Sequence, residues 1–360
     1  MKKVLTVLLC LALVLGLTSM VTGCTPSTPS TAPTTAPTTA ATTAPPAEKP
    51  MKIAFFVSDL SNVFHQAQVA EAKKYAKEKY NAEVYAFDGK GDGTVMTQNI
   101  DQIVAQGMDM ATLHIWDQEA AKPGVLAAIK KGVIINTFFG PVADTGIPIV
   151  RSDEPGVSEE MGKQMATQWK TAHPDKPIVC VQVGWPNHTE VKSGRTDPFV
   201  KGVKSVDPNA VDLGCLDGSA GQDQAKQAVA TLMTQHPEVN LIYSESSNLS
   251  VGVMAALTAA GRGKMDNGKP LTEIVCSVDF DQVEAKEVYD PSCSLKLSMG
   301  LPPIETSHAR IDNLFDVKNG KIKLQDASTP ITWAKAYCIS FWTMKQADAD
   351  KWISDQFTVK

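Results

Sequence analysis

The sequence predicts an α/β protein made of two doubly wound parallel-sheet lobes, and three observations carry that expectation. The stretch from Met51 to Phe87, MKIAFFVSDLSNVFHQAQVAEAKKYAKEKYNAEVYAF, reads as strand, loop, helix, strand. The same alternation recurs as far as Phe280. The chain from Met51 to Lys360 is also longer than the size at which one hydrophobic core usually stops growing, so two lobes are expected.

The opening MKIAFFVS is a nearly continuous apolar run, which suits a strand covered by helices on both faces. Asn62 can cap the following helix, in which Val63, Ala67, Ala70, Ala72, Ala76 and Tyr80 have a roughly helical apolar spacing, while Lys73, Lys74, Lys77 and Lys79 stay in water. AEVYAF opens a second strand. Two parallel strands joined by a right-handed crossover leave Ser58 to His65 at the carboxyl edge of the sheet, where open α/β sheets bind ligands. Next come a helix near Thr94 to Gly107, a strand at Met110 to Ile115, a helix at Gln118 to Lys131, and strands at Gly132 to Thr137 and Ile147 to Val150. Pro155 is well placed in the first turn of the helix that follows.

A second series repeats the architecture. Strands are predicted at Pro177 to Val183, Ala210 to Leu216, Leu241 to Tyr243 and Thr272 to Phe280; helices at Asp197 to Val206, Gln222 to His236 and Asn248 to Ala260, the last ended by Gly261. Two such lobes form a cleft if their carboxyl edges face each other.

The N-terminus carries a different message. Lys2 and Lys3 precede the apolar LTVLLCLALVLGL, followed by Val21-Thr22-Gly23-Cys24. Residues 1–23 read as a secretory signal, too short in its apolar core for an ordinary spanning helix. The small residues before Cys24 resemble a bacterial lipobox, which implies a diacylglycerol on Cys24 and cleavage before it. Residues 24–50 are nearly all Thr, Pro, Ala and Ser, a composition that cannot bury enough surface to order itself and is expected to act as a disordered, semi-extended tether. The expected location is extracytoplasmic, on the bacterial cell membrane through that lipid.

The chain has 34 Lys and Arg against 39 Asp and Glu, a formal charge of -5. Removing the signal takes away two lysines and makes it -7, so nucleic acid is not an expected partner. Of seven cysteines, five lie in the body. Cys180 and Cys276 fall in apolar strands and are expected to be buried thiols, with a disulfide involving Cys215 or Cys293 left open. No CxxC occurs, and His65, His114, His173, His188, His236 and His308 form no HExxH or close pair, which removes the usual zinc readings. GxSxG is missing around SESSNLS, and Gly89 to Gly93 lead into neither a GxxxxGK[ST] nor a GxGxxG motif. No enzymatic activity, metal or cofactor is expected.

On KIAFFVSDLSNVF, the GVIINT strand with Ser152-Asp153 beyond it, Arg195-Thr196-Asp197-Pro198-Phe199, ATLMTQHPEVNLIYSES and CSVDF, the body resembles the sugar-binding lipoproteins of bacterial ABC importers, of the ribose-binding type of periplasmic-binding-protein fold (type I). Repressor cores share this fold, but a DNA-binding headpiece is absent and an export signal is present. The resemblance implies a hinge crossed three times, near Arg151-Ser152, Gly300-Leu301 and Ser328-Pro330. Lobe one would hold residues 51–151 and 301–329, and lobe two 152–300 and 330–360. It also implies closure around a ligand, a monomer, and ABC permease and ATPase subunits as partners. The alternative is a sensing receptor that feeds a chemoreceptor or sensor kinase.

A sugar offers hydroxyls at its edge and apolar C–H faces, so its pocket needs carboxylates, amides or Arg together with aromatic rings. In lobe one the candidates are Ser58, Asn62, Phe64, His65, Trp116, Phe138 and Phe139, with Asn62 readable as a helix cap and either Phe or Trp116 readable as core. Phe138-Phe139 replace an Asp-Arg pair of the ribose-binding type, which implies a more apolar or larger ligand face. In lobe two, Arg195 and Asp279 match family contacts, Trp185 and Asn187 share a loop with His188, and Ser246 stands where the family has Asn.

Overall fold

The computed structural model of the protein describes residues 49–324 and 330–357. The expected signal, the expected lipidation site Cys24 and nearly all of the expected tether lie outside these residues.

Strand β1 (Lys52–Val57) shows why the chain folds in layers. Side chains alternate across a strand. Ile53, Phe55 and Val57 therefore enter one apolar cluster with α1 (Val63–Tyr80), β2 (Glu83–Asp88) and α10 (Pro303–Lys318). Ala54 and Phe56 enter a second, on the opposite face, with α2 (Gly93–Ala105), β3 (Met110–Leu113), α3 (Gln118–Lys130) and β4 (Ile134–Phe138). Adding β5 (Ile149–Ser152) and β13 (Ile331–Ala334), the first sheet is ordered β13-β5-β4-β3-β1-β2, all parallel.

The second sheet repeats the plan. It is ordered β14-β12-β11-β8-β6-β7 and comprises β6 (Val179–Gly184), β7 (Val211–Asp217), β8 (Leu241–Ser244), β11 (Ile274–Val278), β12 (Leu295–Gly300) and β14 (Tyr337–Ser340). Only β14 runs antiparallel there, against β12. One face is covered by α4 (Glu154–Ala172) and α6 (Asp197–Val206). The other carries α7 (Gln222–Gln235), α8 (Ser247–Ala259), α9 (Gln282–Tyr289) and α11 (Gln346–Phe357). A short helix α5 (Thr189–Val191) and a π-helical turn at Lys192–Thr196 lead into α6, and β9 (Met265–Asp266) with β10 (Lys269–Pro270) forms a small hairpin.

The chain changes sheets between β5 and α4 and between β12 and α10. The third change differs from expectation. β13 pairs in parallel with β5, from Ile331 against Ile149 to Ala334 against Ser152, so residues 331–334 belong to lobe one and the crossing falls at Lys335 and Ala336. The ITWA run is only four residues long with Ile331 and Trp333 exposed, as befits an edge strand, and it gives little apolar signal. Of the expected crossing at Ser328–Pro330, residues 325–329 lie outside the described residues.

All five body cysteines are free thiols, including Cys215 and Cys293. Among the described residues no helix is long and apolar enough to cross a membrane.

Helices α4 and α6 meet backbone to backbone. A Cβ on Gly162 would collide with the Phe199 carbonyl oxygen, and one on Gly202 with that of Glu159. Gly202→Ala should therefore cost about 1–3 kcal/mol through overpacking and lower the thermal midpoint by several degrees; an unchanged melting curve would show that the two helices can separate at no cost.

Candidate functional site

Parallel strands deliver their following loops to one edge, and loops from both sheets here enclose a cavity of about 550 Å³. Lobe one contributes Ser58, Asp59 and Ser61 to His65 after β1, His114 and Trp116 after β3, and Phe138-Phe139 at the end of β4. Lobe two contributes Trp185, His188 and Arg195 after β6, Ser246 to Asn248 after β8, and Asp279 with Asp281 after β11. Every sequence-predicted site residue except Asn187 lines this cavity; Asn187 lines an adjoining one.

Arg195 sits in the π-helical turn and ties the lobe-two wall together. Its Nε donates to Glu154 Oε2 at 2.7 Å and its Nη1 to the Glu245 carbonyl at 2.8 Å. Burial works against its charge, but Glu154, Tyr243 and Asp279 more than offset this and hold it protonated. Among the described residues Nη2 makes no hydrogen bond, which leaves donor capacity for a ligand. The guanidinium carbon lies 5.6 Å from the centroid of Phe139, a cation–π contact from one lobe to the other.

Asp279 ends β11 in the left-handed region, φ 72. Its backbone N–H donates to Met299 O at 3.1 Å, while among the described residues no group donates to its carboxylate. Burial pushes the carboxyl up to about 6, opposed by Arg195 and reinforced by Glu154 and Asp281. Phe139 also has positive φ, 81, a conformation costly for a bulky side chain. Both strained residues line the cavity from opposite lobes, where strain aims side chains at the space between them.

The lobe-one wall is largely aromatic, with Asp59 its one carboxylate among the described residues. Phe64, Phe138 and Phe139 are nearly fully buried and belong to a core cluster while also lining the cavity, so the expected alternatives coexist. His65 is buried and its pKa is held down at about 4, chiefly by desolvation, with Gln68 opposing. Its Nδ1 lies 3.1 Å from Gln68 Oε1, and its Nε2 lies 2.7 Å from the Ser58 hydroxyl. The Ser58 hydroxyl and the His65 ring are thereby paired, and the Ser58 oxygen keeps a lone pair for a ligand in the cavity. Asn62 accepts from Phe64 N at 2.8 Å, so it is the helix cap and lines the cavity too. Ser246 likewise caps α8 through Leu249 N at 3.3 Å.

Three groups escaped sequence reading. His114 stacks edge-on against His65 and Phe138 at centroid distances of 5.2 Å, and burial holds it neutral. Glu154, the residue before Pro155 at the start of α4, carries no sequence sign of a partner across the lobe. Glu284, at the back of the cavity, accepts from Ser277, Ser250 and Ser298, and burial pushes its pKa up to about 8 against those hydroxyls. A Glu inside an otherwise polar helix start, QVEAKEVY, gives no sequence sign of burial. Among the described residues no group of His, Cys, Asp and Glu is arranged to hold a metal.

Fold and site together define a two-lobed protein with a ligand cleft between facing sheet edges. The family model for the periplasmic binding protein domain matches residues 53–317, and the chain belongs to that family. The D-ribose/D-allose-binding protein of Pseudomonas aeruginosa is 24% identical over 277 residues, 71% of this chain and 84% of that protein. A glucose-galactose binding protein from Geobacillus stearothermophilus has a similar structure, with a TM-score of 0.68 at 13% identity, covering 82% of this chain and 99% of that one. The myo-inositol binding protein of Caulobacter, solved with myo-inositol, gives 0.67 at 17% identity, covering 86% and 99%.

Asp279 supplies a pH test. Its folded pKa lies above the unfolded carboxylate value, so between about pH 4 and 6 the folded state binds the extra proton and stability falls as pH rises. Asp279→Asn should therefore stabilise the empty protein at pH 7 by on the order of 2 kcal/mol, with most of the gain gone by pH 4. A gain independent of pH would mean the carboxylate is not sheltered.

Proposed function

We propose that the protein captures a monosaccharide or sugar-like molecule in the interlobe cleft by hinge closure and releases it, unchanged, to an ABC permease driven by its ATPase. The observation that carries this is the pairing of walls. Lobe two presents a fixed Arg195 donor and an unpartnered Asp279 acceptor, suited to vicinal hydroxyls, and lobe one presents Phe64, Phe138 and Phe139, suited to a C–H face. Family membership and the sugar- and cyclitol-binding relatives support the same reading.

The loss of the Asp-Arg pair at Phe138-Phe139 argues against ribose as the ligand. The protein would work as a monomer outside the cytoplasm, held to the membrane by a lipid on Cys24, with residues 24–50 as the tether. Ser58, Asn62, His65, Trp116, Trp185 and Ser246 would complete the contacts, and no cofactor would take part.

A thermal-shift panel of pentoses, hexoses, deoxysugars, polyols and nucleosides tests this. At a hundred times its dissociation constant the right ligand adds about 2.7 kcal/mol, a shift of several degrees. Asp279→Ala should fold and lose the shift. Arg195→Ala should lose it too, but melt earlier, because it strands the buried Glu154 carboxylate. No shift with any carbohydrate, or a full shift in both variants, would defeat the proposal.

A further inference from the structure

A second cavity of about 470 Å³ adjoins the first at the mouth of the cleft. Trp116 from lobe one and Trp185 from lobe two line both cavities, as does His188. The indoles are only half-buried, and neither belongs to the sealed core. The rest of the outer wall is rich in hydrogen-bonding groups, Asn187, Glu119, Glu190 and Asp217 among them. Asp117 uses one carboxylate oxygen on Ala120 N at 2.8 Å and keeps the second as an acceptor, while Asp217 is engaged by Ser219 N at 2.9 Å and by the Ser219 and Gln224 side chains. No Lys or Arg lines this space.

Two half-exposed indoles, one on each lobe, with carboxylates and an amide around them, repeat the chemistry of the inner cavity: flat apolar faces for C–H surfaces and acceptors for hydroxyls. The inner cavity alone falls within the range of ordinary ligand pockets, about 300–1,000 Å³, so the outer one is room for something more. Its charge selects against an anion, because a uronate or phosphate would meet Asp117, Glu119, Glu190 and Asp217 together.

We infer that the ligand is a neutral two-unit glycoside, with one ring in the inner cavity and a second glycosyl ring in the outer cavity between Trp116 and Trp185. The inference rests on the sugar-capture reading and narrows it to ligands of disaccharide size. The inner ring keeps the contacts of Arg195 and Asp279. The outer ring is read by the two indoles and the carboxylates and enters last, at the open rim.

Isothermal titration of the full-length protein with neutral disaccharides, their component monosaccharides and the matching uronic-acid disaccharides tests it. The preferred neutral disaccharide should bind at least about tenfold more tightly than either component and than its uronic-acid counterpart. Ser219 is exposed on the outer wall alone. Ser219→Trp should fill that cavity and abolish the tenfold advantage while the monosaccharide affinity stays unchanged, and Glu119→Ala should reduce the advantage in the same direction. If component monosaccharides bind as tightly as any disaccharide, or if both variants leave the advantage intact, the two-unit ligand is wrong and the sugar-capture reading survives. If no carbohydrate binds, both fall together.

Discussion

The ion pair between Arg195 and Glu154 is the interaction on which the lobe-two wall depends. Glu154 begins α4 directly after the chain leaves the first sheet, and Arg195 lies in the turn between β6 and α6, so the pair joins the hinge side of the lobe to the cleft. The second donor of Arg195 takes the Glu245 carbonyl at the end of β8. Three separate loops are thereby held at fixed distances before any ligand arrives. Buried charges are costly unless they are paired and hydrogen-bonded, and here the cost secures geometry. The π-helical turn belongs to the same design, since such turns redirect a side chain without breaking the chain's path.

Opposite this polar wall stands an aromatic one, and the difference between them gives the cleft its chemistry. His65 and His114 are neutral at ordinary pH because burial denies them a proton, so they act as dipoles rather than as charges. Phe139 crosses to the other lobe, with its ring near Arg195 and its centroid 5.9 Å from that of His188. Its left-handed backbone and that of Asp279 mark the two places where the chain accepts strain to aim a group into the cleft.

Much of the fold was legible in the sequence because parallel strands buried on both faces read as apolar runs, as in KIAFFV and IVCSV, and because the first is followed by a helix that Asn62 caps. The edge strand β13 was not legible, since a four-residue, half-exposed strand carries almost no apolar signal. Its position is set by register against β5, a tertiary fact. The site was legible at several residues that directly follow a strand, as with Ser58, Phe139 and Asp279, though His114 after β3 gave no comparable signal. Phe64 and His65 were legible because they open the helix just after a strand, whereas Glu284, in a helix start with no apolar signal, and Glu154, which owes its role to a distant partner, were opaque. Asn187 shows the limit of reasoning by loop: it shares a segment with Trp185 and Arg195 yet faces the neighbouring cavity.

The central claim is that one small molecule is held by loops from both lobes at once. Hydrogen–deuterium exchange with and without the sugar that binds measures this directly. Protection is expected in the segments after β1 and β4 of lobe one and after β6 and β11 of lobe two, rising together with occupancy. Protection confined to one lobe, or located away from these strand ends, would contradict it.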